Sequence, residues 1–229
     1  MEILSPTIPP PADSGRKYGG ESAEARQARQ RLQFLDAGLK LFGTEGYHAT
    51  TVRSLCKEAG LTDRYFYKNF NNIEDLLVAV YNSTQDVIQA QVMQAVNQAL
   101  QQNALDTVTS AALDTFFKAI ENPWIARVCW LEVLGVSPRV QAMYMQRVQQ
   151  YADLLLTVAQ HLRITWSHED DEAQFIALAL IGAVSQSAMN WLLSGYRVKR
   201  STVVAANTVI LRGALAHLQT PIQTPTPTD

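Results

Sequence analysis

The sequence predicts an all-α protein: a three-helix head containing a helix-turn-helix, followed by a larger helical body, about nine helices in all. Three observations carry that expectation. Apolar residues recur at helical spacing, and no stretch alternates for long enough to make a strand or carries the Asn-Gly or Asp-Gly signal of a hairpin. Residues that start and stop helices punctuate the chain at helix-length intervals. A hydrophobic share of 47% supplies a sizeable core for 229 residues. The two ends differ from the rest. Residues 1–20 hold Pro6, Pro9, Pro10, Pro11, Gly15, Gly19 and Gly20, and residues 219–229 read QTPIQTPTPTD, so both are expected to be disordered tails.

The first helix is expected over residues 22–43, with Leu32, Leu35, Leu39 and Phe42 as its apolar stripe. The second begins after Thr50 as N-cap and stops at Gly60, which suits the left-handed position after a helix. The third begins at Thr62 and ends near Phe70. Two short helices joined by a turn with Gly make a helix-turn-helix at about residues 51–70, whose second helix is the kind that enters the major groove of DNA. Asn72 caps a long fourth helix carrying Ile73, Leu76, Leu77, Val80, Tyr81, Val87 and Ile88, with Asp75 completing a box-like start. That helix is expected to join head to body.

The fifth helix is expected from Ala104 to Ile120. The sixth starts at Pro123 and stops near Gly135, and the seventh starts at Ser137-Pro138 and runs to about Arg163. Ser167 with Asp170 marks the start of the eighth, and Glu169 to Glu172 suit its first turn. Gly195 ends it. Ser201 caps the ninth, with Val204, Leu211, Leu215 and Leu218 as its stripe. The expected division is therefore a head of residues 21–72 and a body of residues 73–218.

Charge is distributed unevenly. Residues 16–70 hold ten basic and six acidic side chains, whereas residues 71–229 hold nine and thirteen. A basic head on an acidic body suits polyanion binding by the head. Cys56 and Cys129 stand far apart without metal-ligand spacing and are expected to be reduced thiols. The opening residues lack the basic stretch and apolar core of a leader, and the longest apolar run, Phe175 to Val184, is too short to span a bilayer. A cytoplasmic protein without membrane contact is expected.

Catalytic signatures are missing from the sequence. Glu45-x-x-His48 is a single copy interrupted by Gly46, whereas a carboxylate-bridged oxidase needs two such motifs and two further Glu. His161, His168 and His217 are isolated, and no His-Glu-x-x-His, Gly-x-Ser-x-Gly or phosphate-binding Gly loop occurs. No enzyme activity, metal or cofactor is expected.

The stretch AGLTDRYFYKNFNNIEDLL, Ala59 to Leu77, resembles the TetR family of transcriptional regulators. Gly60, Leu61, Thr62, Phe66, Tyr67, Phe70, Glu74 and Leu76 fill the family's pattern, and Leu41 to Gly60 is similar to its first-helix exit and second helix. Two positions depart from it. Ile73 stands where members usually carry a phosphate-contacting Lys, and Tyr65 stands where a small Thr is often found.

From their helical positions, Phe66 and Phe70 are expected to face the head's core. That leaves Thr62, Asp63, Arg64, Tyr65, Tyr67, Lys68 and Asn69 for the groove or its rim. Arg64 suits a bidentate contact to guanine, Lys68 a phosphate, and the tyrosines phosphate, sugar or a thymine methyl. Asp63 suits the helix N-terminus or cytosine. The resemblance implies that Thr51 and Arg53 meet the backbone. Arg26, Arg29 and Arg31 suit either the duplex or a solvated helix face.

The resemblance also implies a small-molecule cavity among helices five to eight. Aromatic candidates to line it are Phe116, Phe117, Trp124, Trp130, Tyr144, Tyr151, Phe175 and Trp191, each of which also suits ordinary core. A hydrophobic, aromatic or acyl-bearing effector fits them. Arg127, Glu132 and Arg147 are the charged candidates, with surface placement expected. The eighth helix is rich in small residues, and the family dimerises through helices eight and nine, which points to Ala179, Gly182, Ala183, Leu211, Leu215 and Leu218.

The function expected from these features is a dimeric, ligand-responsive repressor. It binds double-stranded DNA at a palindromic operator and is released by a small hydrophobic molecule. The alternative is a helical small-molecule binding protein whose head contacts a protein partner instead of DNA.

Overall fold

The computed structural model describes residues 22–102, 107–161 and 170–218. Within them lie α1 (Ala23–Thr44), α2 (Val52–Ala59), α3 (Asp63–Asn69), α4 (Ile73–Gln101), α5 (Val108–Ala119), α6 (Pro123–Arg127), a π-helical segment (Val128–Glu132), α7 (Pro138–His161), α8 (Asp170–Leu193) and α9 (Arg200–Leu218). The described residues contain no strand. The expected tails, the start of the fifth helix at Ala104, the end of the seventh at Arg163 and the Ser167 start signal all lie outside them.

Caps account for most boundaries. The Ser22 hydroxyl accepts the Ala25 amide at 3.0 Å and opens α1. The cap of α2 is Thr51, one residue later than expected: its hydroxyl accepts the Ser54 amide at 3.1 Å and Ser54 returns the bond to the Thr51 amide. Thr50 is instead buried, with its hydroxyl donating to the Gly46 carbonyl at 2.8 Å. Gly60 closes α2 at φ +67°, the left-handed conformation glycine adopts without a Cβ clash. Asn72 accepts the Asp75 amide at 2.8 Å, but Asp75 reaches Asn71 rather than the cap amide, so only half of the expected box forms. Ser137 accepts the Val140 amide at 3.2 Å and opens α7. In α9 the helix begins at Arg200, with the Lys199 carbonyl taking the first bonds, so Ser201 lies inside it rather than capping it.

The apolar face of α1 is rotated from the expected stripe. Phe34, Ala37, Gly38, Leu41 and Phe42 are buried, Leu35 and Leu39 are half-buried, and Leu32 is 60% exposed. The reason is that α1 packs against α2, α3, α4 and α6 at once, and the contact it makes with α4 runs through Gly38. A Cβ at Gly38 would stand 2.9 Å from Val80 Cγ2, so the missing side chain lets α4 lie close. Phe34 meets Phe66 and Phe70 edge-on, at 5.4 and 6.2 Å between ring centres, which fixes α3 on α1. Phe66 and Phe70 are buried, as their spacing predicts.

One apolar core continues from Phe34 to Leu211. Its strand of continuity is α4, whose Leu76, Leu77 and Val80 are buried beside α1 and whose later turns pack against α5 and α7. Val87 is the exception on that helix, at 55% exposure. In the body α7 pairs with α8, and α9 lies on α5 and α8. Taken as a whole helix rather than as an unbroken apolar run, Asp171–Leu193 is long and apolar enough to cross a membrane, which corrects the estimate made from Phe175 to Val184.

Candidate nucleic-acid interface and ligand cavity

Helix α3 presents its polar side outward because Phe66 and the following Phe70 hold its other side against α1. Thr62, Asp63, Arg64, Tyr65, Tyr67 and Lys68 are exposed, Tyr67 at 61%. Asp63 accepts the Arg64 amide at 2.8 Å and so acts at the helix N-terminus, leaving the Arg64 side chain outward. Asn69 is half-buried and its amide donates to the Tyr65 carbonyl at 2.8 Å. Arg31 caps the far end of α3: it donates to the Asn69 carbonyl at 3.3 Å, and its guanidinium stands 4.6 Å from the centre of the Phe70 ring. Thr51 and Arg53 are exposed at the α2 N-terminus, next to the same face. Arg26 and Arg29 are exposed on α1. Ile73 packs half-buried against the core and offers no charge there.

The body encloses a cavity of about 170 Å³ walled by α4, α5, the π segment, α7, α8 and α9. Of the eight aromatic candidates, Phe116, Trp130, Tyr144 and Tyr151 line it. The other four do not, each for a packing reason. Phe117 and Trp191 pair edge-on at 5.8 Å, and Trp191 meets Tyr196 edge-on at 4.8 Å, with the Tyr196 hydroxyl donating to the Ile120 carbonyl. This second aromatic cluster fastens α5 to the α8 end instead of opening onto the cavity. Trp124 lies over Gly43, where a Cβ would stand 2.6 Å from the Trp124 Cα, so it joins α6 to α1. Phe175 is 73% exposed on α8. Tyr81, expected only on the α4 stripe, Cys129, expected only as a reduced thiol, and Gln85, which the sequence did not single out, all line the cavity.

Two charged residues expected at the surface are largely buried. Arg147 lines the cavity and pairs with Asp86 at 2.9 Å, with Asn82 and Gln89 accepting at 3.2 and 3.3 Å. Glu132 ties the body to the head: it accepts the Tyr47 amide at 2.6 Å and Arg127 Nε at 2.7 Å, while Arg127 Nη1 donates to the Thr44 carbonyl at 3.1 Å. The same π segment puts Cys129 and Trp130 on the cavity wall. Burial pushes the Cys129 thiol up to about 12 and raises the Tyr81 and Tyr151 phenols, so all three are neutral near pH 7. The described residues contain no group of three or more His, Cys, Asp or Glu placed to hold a metal ion.

The small-residue face of α8 is split. Ala179 and Gly182 are exposed and Ala183 is half-buried, whereas on α9 Leu211 is buried and Leu215 lines the cavity. The Leu218 side chain lies outside the described residues. The outward apolar residues here are Phe175, Leu193, Val209 and Ile210, which sequence spacing did not single out as a surface, although Phe175 was among the cavity candidates.

A helix-turn-helix head thus stands on an all-helical body with its own cavity. Residues 34–80, which hold that helix-turn-helix, match the family model for bacterial regulatory proteins, tetR family. Among its relatives, the HTH-type transcriptional activator FasR of Mycolicibacterium smegmatis is 24% identical over 89% of this chain and 91% of its own. The fold is similar to that of the fatty acid degradation regulator FadR of Bacillus halodurans, with a TM-score of 0.64 at 21% identity over 81% of this chain and 96% of that one. It is similar as well to FadR of Bacillus subtilis in complex with stearoyl-CoA, with a TM-score of 0.61 at 18% identity over 84% and 99% of the two chains.

Proposed function

We propose that this regulator is a dimeric operator-binding repressor released by a small, apolar, acyl-bearing effector. The single observation that carries this reading is the cavity, because its wall is made by the same two elements that hold the head. Helix α4 contributes Tyr81 and Gln85 to the cavity one to two turns after Leu76 and Leu77 enter the head's core. The π segment contributes Trp130 two residues before Glu132 binds the Tyr47 amide. A ligand that spreads these walls shifts both attachments of the head. The neighbours support an acyl ligand: one is named as a fatty acid degradation regulator and another holds stearoyl-CoA.

In this reading residues 21–72 are the DNA-binding head and residues 73–218 the effector and dimer body. Thr62 to Asn69 of α3 enter the major groove, and Thr51 and Arg53 meet phosphate at the α2 N-terminus. The dimer forms through the outward face of α8 and α9, where Phe175, Ala179, Gly182, Val209 and Ile210 are exposed. Among the described residues, nothing beyond the helix's own backbone and the adjoining residues lies within 4 Å of a Cβ placed on Gly182 or Gly213, so both leave room for a second backbone. Pairing there covers the apolar side of α8 with protein, which is why we assign that helix to an interface in the cytoplasm and not to a bilayer.

The experiment is a gel-shift assay with DNA from upstream of the neighbouring genes at two salt levels, with and without effector. Salt-sensitive binding relieved by a fatty acyl compound is expected. No shift even at low salt would favour a protein-binding head. A shift strengthened by the acyl compound would reverse the sign of the switch, as the activator name of the Mycolicibacterium relative illustrates.

A further inference from the structure

We infer that the effector carries a free carboxylate, and that Arg147 receives it. This rests on the effector reading above and adds the chemistry of the ligand's head. Among the described residues lining the cavity Arg147 is the one that carries a charge, and its side chain is only 12% exposed. Its present partner, Asp86, is 65% exposed and faces water. Beside it Tyr151 donates to the buried Gln85 at 2.9 Å. These polar groups gather at one end. Helices α4 and α7 run alongside in the same sense, since Arg139 pairs with Asp75 near their starts and Arg147 with Asp86 further along. Beyond Arg147 the facing residues become Val96, Val108, Val158 and Ala159. From Tyr81 to Val96 the helix rise spans about 22 Å. Polar at one end and aliphatic at the other, the cavity matches a molecule built the same way.

A guanidinium binds a carboxylate through two parallel charge-assisted bonds. Asp86 is solvated and loses little when the ligand takes its place, whereas Arg147 is held where the ligand's head would arrive. A neutral head offers Arg147 nothing that Asp86 does not already supply. A polyphosphate head asks for several cations, but among the described residues the cavity presents one, and residues 71–229 carry thirteen acidic against nine basic side chains.

Calorimetric titration of the full-length protein tests this with three probes of equal chain length: a saturated fatty acid, its primary alcohol and its coenzyme A thioester. The acid is expected to bind at least tenfold more tightly than either of the others. Arg147→Gln removes that preference by weakening the acid alone, and Arg147→Lys retains part of it. Equal affinity for acid and alcohol in the unaltered protein overturns the inference without any variant. So does tighter binding of the thioester, or an equal loss for acid and alcohol in Arg147→Gln, which would mark the arginine as a tie between α4 and α7 only. Binding by none of the three overturns the effector reading as well, so the two failures are told apart.

Discussion

At the scale of single residues, Arg64 and Cys129 illustrate opposite environments. Arg64 is exposed on a helix anchored from behind by Phe66. Replacing it by Ala is expected to weaken specific operator binding by about 1–3 kcal/mol and relax preference at one base pair. Competition gel shifts against a panel of single-base operator variants measure both. An unchanged affinity and an unchanged preference would remove Arg64 from the groove. Cys129 is fully buried, and its thiol stays protonated up to about 12. The unfolded chain releases that proton near its ordinary value of 9.0. Because the folded value is the higher one, the contribution is complete below pH 9 and is lost as pH rises towards the folded value. Between pH 8 and pH 10 the protein should lose on the order of 1 kcal/mol through this group. Urea unfolding of the wild type and Cys129→Ala across that interval checks it. Equal slopes for the two proteins would show that the thiol does not titrate in this way.

At the scale of elements, the π segment matters because it touches two places at once. Trp130 and Cys129 face the cavity, and Glu132 accepts the Tyr47 amide between α1 and α2. Gly46 sits inside this clamp at φ +94°, and a Cβ there would meet Arg127 Nη2 at 3.1 Å, so the loop needs glycine for both backbone and space. Glu132→Ala leaves the Tyr47 amide and Arg127 without that partner. The expected cost is about 1–3 kcal/mol of stability, mostly from the amide, since Arg127 is 36% exposed and screened by water. The second expected outcome is functional: the ratio of operator affinities with and without acyl ligand should fall towards one. Chemical denaturation and quantitative gel shifts read the two effects. A full ligand response in Glu132→Ala would leave α4 as the sole route.

At the scale of the whole molecule, the proposed dimer brings two heads to two half-sites about one helical turn, ~34 Å, apart or a multiple of it. That requirement directs attention to the outward face of α8 and α9. Val209 is 73% exposed there and Ile210 is 45% exposed, unusual positions for such side chains in a lone chain. Val209→Arg is expected to convert the dimer to monomer in sedimentation experiments and to weaken operator binding about a hundredfold or more, because the second head is no longer tethered. A variant that remains dimeric would move the interface elsewhere.

Much of this architecture was legible in local chemistry. Start and stop residues such as Gly60, Asn72 and Pro123 act within a few residues of themselves, so helix identities and several boundaries follow from the sequence alone. The helix-turn-helix and its outward polar residues were readable for the same reason: Phe66 and Phe70 recur on one side of α3 and leave the other side polar. Which of several apolar residues faces inward was not readable. The α1 face turned because α2, α3, α4, α6 and the π segment all pack on it, and Phe117, Trp124, Phe175 and Trp191 went to a second cluster, a helix junction and the surface according to partners distant in sequence. The burial of Arg147 and Glu132 also arose only from tertiary packing, since a charge is held inside only where the fold brings its partners, here Asp86 for one and the Tyr47 amide with Arg127 for the other. Local sequence thus determined the helices and the exposed polar face of α3, and long-range packing decided the cavity and its links to the head.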